Sequence, residues 1–293
     1  MSDDLRDDLD CDEQCFSTRP ISRRTFGVGT VAAAGLVSGA GTASAALPVT
    51  ETDVMIETPD GTCDAVFFHP TEGKHPGVLK WPDIRGLRDA FRDMGRRLAG
   101  EGYAVLVPNP FYRDGPAPLP GPDFNFATDR QMVMGLMGNL TAPDAAERDA
   151  AAFVNWIDTQ DAVDTGKKMG TTGYCMGGPL TMRTSASLPA RIGAAGSFHG
   201  GGLVTDRDSS PHLMIPKMQV SDHVAVAADD DEKEPEAKNV LRAAFDDAGV
   251  PATIEVYEGA MHGWCVTDSS SYNEAQAERA WATLLQLFKT TLV

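Results

Sequence analysis

Hydrophobic positions along this chain fall into two alternating kinds of run. Short apolar stretches recur at Gly77–Trp81, Ala104–Pro108, Lys168–Thr172, Ala194–Phe198, Val224–Ala228 and Thr253–Tyr257. Continuous apolarity of that length is what a strand buried on both faces requires, so these stretches predict parallel strands. Upstream, Val54–Glu57 and Cys63–His69 flank Asp60-Gly61, a hairpin-type turn dipeptide, and predict an opening antiparallel pair. The second kind of run has helical spacing. Leu87, Phe91, Met94 and Leu98 share one helical face, with Gly100 and Gly102 as the stop, and Trp281, Leu284, Leu285, Phe288 and Leu292 form a stripe in the final helix. Both stripes are core positions. Such alternation predicts an α/β fold, a mostly parallel central sheet of about eight strands with helices on both faces. The stretch from Pro108 to about Gln131 is rich in Pro, Gly, Asp and Asn and follows a strand end, so it is expected to border a ligand site.

The first 45 residues stand apart from this pattern. Ser22-Arg23-Arg24-Thr25-Phe26 sets two adjacent arginines before a weakly apolar run, Val28 to Ala46, and Ala43-Ser44-Ala45 offers the small residues of a cleavage site. That arrangement resembles a twin-arginine export signal. A membrane anchor would want ~20 strongly apolar residues, and this run is diluted by Gly, Ser and Thr. The expected organisation is therefore a signal at 1–45 and one catalytic domain at 46–293. The twin-arginine translocase is the expected partner during export to the periplasm or beyond, with no stable membrane insertion after cleavage. A net charge of −17 opposes binding to nucleic acid or to anionic lipid surfaces.

Cysteine usage directs attention to chemistry. Of the five cysteines, Cys11 and Cys15 lie in the leader, leaving Cys63, Cys175 and Cys265. An odd number cannot close a disulfide framework, and no CxxC pair suggests zinc, so at least one free thiol must remain. Whether Cys63 and Cys265 pair is open; Cys265 is read as packing. Cys175 lies in Gly173-Tyr174-Cys175-Met176-Gly177, preceded by a strand and followed by a helical run from Pro179. This is the nucleophile-elbow pattern, normally written with Ser. Its glycines leave room for a sharp strand-to-helix turn, and the helix N-terminus favours a thiolate and later an oxyanion.

Chain order supplies the remaining members, because in this architecture the nucleophile is followed by an acid and then a histidine. The strand Val224–Ala228 runs into Asp229-Asp230-Asp231, and Thr253–Tyr257 runs into Glu258-Gly259-Ala260-Met261-His262-Gly263. His262 is the candidate base and Asp230, preferred over Asp231, the acid that orients its imidazole. The acidic run could alternatively be a solvated loop or a calcium site. The motifs call for no metal and no cofactor.

Gly-Tyr-Cys-Met-Gly-Gly, the late acid and Gly-Ala-Met-His-Gly together resemble the dienelactone hydrolase family, from about Val54 to the C-terminus. The resemblance implies an α/β-hydrolase with a Cys-Asp-His triad of Cys175, Asp230 and His262, acting on enol-lactones or other small esters. It also implies an oxyanion hole from the Ile84 and Met176 amides. Asp83 stands in place of a family Glu that restrains the resting cysteine, and Arg113 in place of an arginine that grips a substrate carboxylate. A second family arginine is replaced by Val266. The expected reaction is hydrolysis of a small-molecule ester or lactone through a Cys175 thioester. Two other readings compete with it: a non-catalytic binding protein on the same scaffold, and a thiol redox protein.

Overall fold

A computed structural model describes residues 46–292. The strands are β1 (Val49–Thr58), β2 (Gly61–Pro70), β3 (Gly77–Trp81), β4 (Ala104–Pro108), β5 (Met169–Tyr174), β6 (Ile192–Phe198), β7 (Ser221–Ala227) and β8 (Ala252–Tyr257). They form one sheet in the order β1-β2-β4-β3-β5-β6-β7-β8. β1 and β2 pair antiparallel, as does β2 with β4, while every pairing from β4 to β8 is parallel. The expected mostly parallel sheet is therefore observed.

The opening hairpin is longer than apolarity alone suggests. β1 pairs with β2 from Val49↔Pro70 to Thr58↔Gly61. Its polar flank stays in the ladder because β1 is an edge strand, where Glu51 can face solvent and pair with Arg92 and Arg96. The helix carrying those arginines, α1 (Asp89–Gly100), buries Phe91, Met94 and Leu98. Beyond its end, Gly102 takes φ +98, a conformation that needs glycine.

Side chains alternate along the strands between two cores, as period-two geometry requires. Phe67, Leu79 and Leu106 join one core with Phe153 of α3 (Ala145–Asp158), Leu180 of α4 (Gly177–Ser187) and Phe245 of α6 (Ala237–Ala248). Their neighbours Phe68, Val78 and Val105 join the other, beneath α1 and α7 (Glu274–Thr291), whose Trp281, Leu284 and Phe288 are buried there. Lys80 is also fully buried. Its ammonium sits 4.2 Å from the centroid of the Tyr174 ring and donates to the Tyr174 hydroxyl at 3.1 Å.

Two elements begin where an irregular stretch is expected. α2 (Phe126–Leu140) takes up the end of the Pro108–Gln131 stretch, because Asn125 Oδ1 accepts the Ala127 N–H at 2.9 Å and caps the helix. The acidic run after β7 is α5 (Ala228–Lys233), whose first turn holds Asp229, Asp230 and Asp231, a placement the helix dipole favours. None of Cys63, Cys175 and Cys265 takes part in a disulfide. No helix of the described residues is long and apolar enough to cross a membrane. The expected export signal lies outside the described residues.

Candidate active site

Residues that follow β3, β5, β6 and β8 line one cavity. At the end of β5 the chain turns so sharply that Cys175 takes φ +52, in the left-handed region that non-glycine residues rarely occupy. The flanking glycines are sterically obligatory. A Cβ on Gly173 would lie 2.0 Å from the Gly177 carbonyl oxygen, and one on Gly177 would lie 2.5 Å from that of Trp81. The turn is tied to the sheet by the Cys175 N–H, which donates to the Phe198 carbonyl at 3.0 Å, and Gly178 N–H donates to the Cys175 carbonyl at 2.9 Å. α4 starts two residues after Cys175, so its positive end faces the thiol.

The acid and the histidine arrive from the next two strand ends. Asp230 Oδ2 lies 2.7 Å from His262 Nδ1, leaving Nε2 as the nitrogen for proton transfer. Asp231 instead pairs with Lys238 of α6. Asp229, absent from the sequence-based candidates, accepts the His262 backbone N–H at 2.8 Å through Oδ1. Two neighbouring carboxylates thus hold one histidine, by its ring and by its backbone. Gly259 at φ +72 and Gly263 at φ +92 bracket the turn that presents it.

Cys175, His262, Ile84 and Met176 all line a cavity of about 210 Å³. Its remaining wall is largely apolar, with Met134 and Met137 of α2 and Leu180 of α4. No residue of the Pro108–Gln131 stretch lines this cavity; the wall is instead reached by the second half of α2, at Met134, Met137 and Gly138, just beyond that stretch. Among the described residues no cluster of three or more potential metal ligands occurs.

Two expected site residues are committed to other partners. The Asp83 carboxylate accepts two hydrogen bonds from Arg88, at 2.6 and 2.9 Å, and a third from the Arg85 amide at 2.8 Å. Arg88 binds Asp268 as well, at 2.7 and 2.8 Å, so the Asp83 carboxylate belongs to an ion-pair network. The short Asp side chain is drawn into the guanidinium fork. Arg113 is likewise committed, binding both Asp149 oxygens at 2.8 Å and Asp60 at 2.6 Å while its guanidinium stacks on Tyr112. It does not line the cavity. The arginines that do are Arg183 and Arg207. Arg183 is held by Glu147 at 2.9 Å and by the Ser209 carbonyl at 2.7 Å. Neither arginine carries a motif that would have singled it out.

A mostly parallel eight-stranded sheet with a strained elbow after β5, a carboxylate after β7 and a histidine after β8 defines an α/β-hydrolase. Within that class the chain belongs to the dienelactone hydrolase family, whose model matches residues 63–292. A protein of Escherichia coli (strain K12), provisionally named a carboxymethylenebutenolidase, is 29% identical over 276 residues, covering 85% of this chain and 94% of that relative. The carboxymethylenebutenolidase of Rhodococcus opacus is 25% identical over 237 residues, covering 79% and 88%. A crystal structure from Klebsiella pneumoniae, provisionally named a dienelactone hydrolase, superposes with a TM-score of 0.72 at 23% identity, covering 82% of this chain and 98% of that one. That last likeness concerns the fold. The family identifies the chain as a hydrolase.

Proposed function

We propose that the chain hydrolyses small activated esters or lactones with Cys175 as nucleophile, His262 as general base and Asp230 as the acid that orients it. The observation that carries this reading is the 2.7 Å pairing of Asp230 with His262 on the wall of the cavity that Cys175 enters from a strained turn. His262 takes the thiol proton, and the thiolate attacks the carbonyl carbon. The Ile84 and Met176 amides receive the developing oxyanion. Collapse expels the alkoxide, which leaves with the proton from His262, and a Cys175 thioester remains. Water then attacks the thioester, giving its proton to His262, and the acid and free thiol are regenerated. Thiolate is a better leaving group than an ordinary alkoxide, so enol-lactones and aryl esters suit this site and peptides do not.

Arg183 and Arg207 are the cations placed to meet an acidic substituent, in place of Arg113. Export through a twin-arginine signal at residues 1–45 belongs to the same proposal. The test is turnover of p-nitrophenyl acetate and of a dienelactone by the full chain, with Cys175→Ala as control. Turnover that disappears in the variant supports the ester hydrolase. A wild-type chain inert on both substrates overturns it in favour of a binding scaffold.

A further inference from the structure

His199 has no place in the elbow motif, yet it sits directly beneath the elbow. Tyr174 and Phe198 are register partners at the ends of β5 and β6, so Cys175 and His199 are the first residues beyond two adjacent strand ends. Both turn into the left-handed region, at φ +52 and φ +41. Two non-glycine residues in that conformation side by side are strain that the surroundings must hold in place. The His199 amide donates to the Ala225 carbonyl at 2.8 Å, fixing the second turn to β7. Its ring then comes back under the nucleophile, and Nδ1 lies 3.1 Å from the Cys175 backbone nitrogen. That N–H is therefore shared between the Phe198 carbonyl and the His199 ring.

Because the Cys175 N–H can only donate, Nδ1 must present its lone pair and the ring proton must sit on Nε2. Nε2 is buried without a protein partner among the described residues. The ring packs edge-on against His262, with centroids 5.1 Å apart, and against Trp264 at 5.0 Å. Protonating Nδ1 would set two donors against each other and place a cation beside the His262 ring. Burial, and then the neighbouring His262, hold the His199 imidazole well below the usual histidine range and so in the neutral form.

We infer that His199 is a positioning residue for the nucleophile: as a neutral acceptor for the Cys175 amide it holds the strained elbow, and it offers His262 an uncharged wall. The inference rests on the reading of Cys175 as nucleophile, but its test needs no substrate. Peptide-resolved alkylation of Cys175 by iodoacetamide, followed across pH in the full chain, reports thiolate formation directly. His199→Phe keeps the aromatic packing and removes the acceptor. His199→Asn returns an acceptor where Nδ1 was, without a titrating ring.

The expected result is about tenfold slower alkylation in His199→Phe with the profile moved to higher pH, the ratio expected for one lost buried hydrogen bond. His199→Asn should recover to within about threefold of wild type, its acceptor replacing that bond. A folded Phe variant with wild-type rate and profile overturns the inference, as does an Asn variant impaired as much as Phe. Should the Phe variant fail to fold, the Asn variant decides alone: a retained profile supports the inference and a displaced one overturns it. A chain inert on every ester but with His199-dependent alkylation would sink the hydrolytic reading while leaving this one standing.

Discussion

Cys175 and Cys265 expose the same fraction of their surface, 8%, and each lines a cavity, yet their surroundings differ in kind. Cys175 stands on a left-handed turn at the positive end of an 11-residue helix, facing a cavity shared with His262. Cys265 lies on the opposite side of the sheet in a pocket of about 120 Å³ walled by Tyr174, Phe198 and Trp281. Burial drives its thiol well above the usual range, against a smaller opposing pull from Lys80. Exposure does not separate the two; backbone conformation and the charges aimed at the sulfur do.

The largest expected effect tests that contrast head-on. Cys175→Ala should lower kcat/KM on p-nitrophenyl acetate by about 10⁵-fold, the scale of removing a nucleophile that works as part of a unit. Cys265→Ala should leave the rate within about twofold and lower the unfolding free energy by about 1 kcal/mol, read from urea melts. Comparable losses in both variants would break the distinction between the two pockets.

Next in size is a pair of carboxylates. Asp83 and Asp230 both follow a strand end, but one faces a guanidinium and the other an imidazole. An arginine never yields its proton, so Asp83 builds a static lock, whereas Asp230 selects the tautomer of an imidazole. Asp230→Asn should cost about 10⁴-fold in kcat, the order seen when an orienting acid loses its charge and the wrong tautomer follows. Asp83→Asn should chiefly cost stability, about 2 kcal/mol, by leaving Arg88 partly unpaired in a mostly buried setting. A kcat loss in Asp83→Asn as large as in Asp230→Asn would return Asp83 to the chemistry.

On the Cys265 side, Lys80 offers a pH-dependent handle. Burial lowers its ammonium to about 7 from the ordinary lysine value of 10.5. Below the lower value the group is charged whether folded or unfolded, and the full burial penalty opposes folding. Between the two values the unfolded chain keeps a proton that the folded chain has released, so this group makes the protein more stable as pH rises. The gain is about 1.4 kcal/mol per pH unit inside that window. Lys80→Met fills a similar volume without a charge, so denaturant melts of the wild type relative to the variant should show a positive slope from pH 7 to 10. A difference that stays constant with pH would mean the amine is charged in the folded chain throughout.

What was legible in the sequence followed from steric necessity and chain order. Gly173 and Gly177 cannot carry a Cβ, so the elbow writes itself as Gly-x-Cys-x-Gly. Asp230 and His262 were readable because each follows a predicted strand in the order this architecture uses. Asp83 and Arg113 were misplaced because a residue type at a matching position does not reveal its partner. Arg88 is five residues from Asp83, while Asp149 and Asp60 reach Arg113 across 36 and 53 residues, and only tertiary structure brings them together. His199 and Lys80 sit singly at or within apolar runs, a pattern no different from an ordinary strand. Asp229 was hidden by its neighbours, since three consecutive acids cannot announce which of them holds a backbone amide.

The smallest effect concerns the charges at the two cavity walls. Arg97 lines the Cys265 pocket and is already occupied by Glu278, which also lines it. Arg183 and Arg207 line the Cys175 cavity, and both are cations that an anionic substituent could meet there. A charge-assisted hydrogen bond to a carboxylate, weakened by partial exposure, is worth about a factor of ten in binding. Arg207→Gln should accordingly raise KM about tenfold for a p-nitrophenyl ester bearing a free carboxylate and leave kcat and the neutral acetate ester nearly unchanged, because a remote contact made equally in ground and transition states moves KM alone. Arg97→Gln should change neither substrate's kinetics. Equal losses on charged and neutral esters in Arg207→Gln would show that it shapes the cavity wall, leaving the Cys175 pocket distinguished by its thiol, acid and histidine and not by its cations.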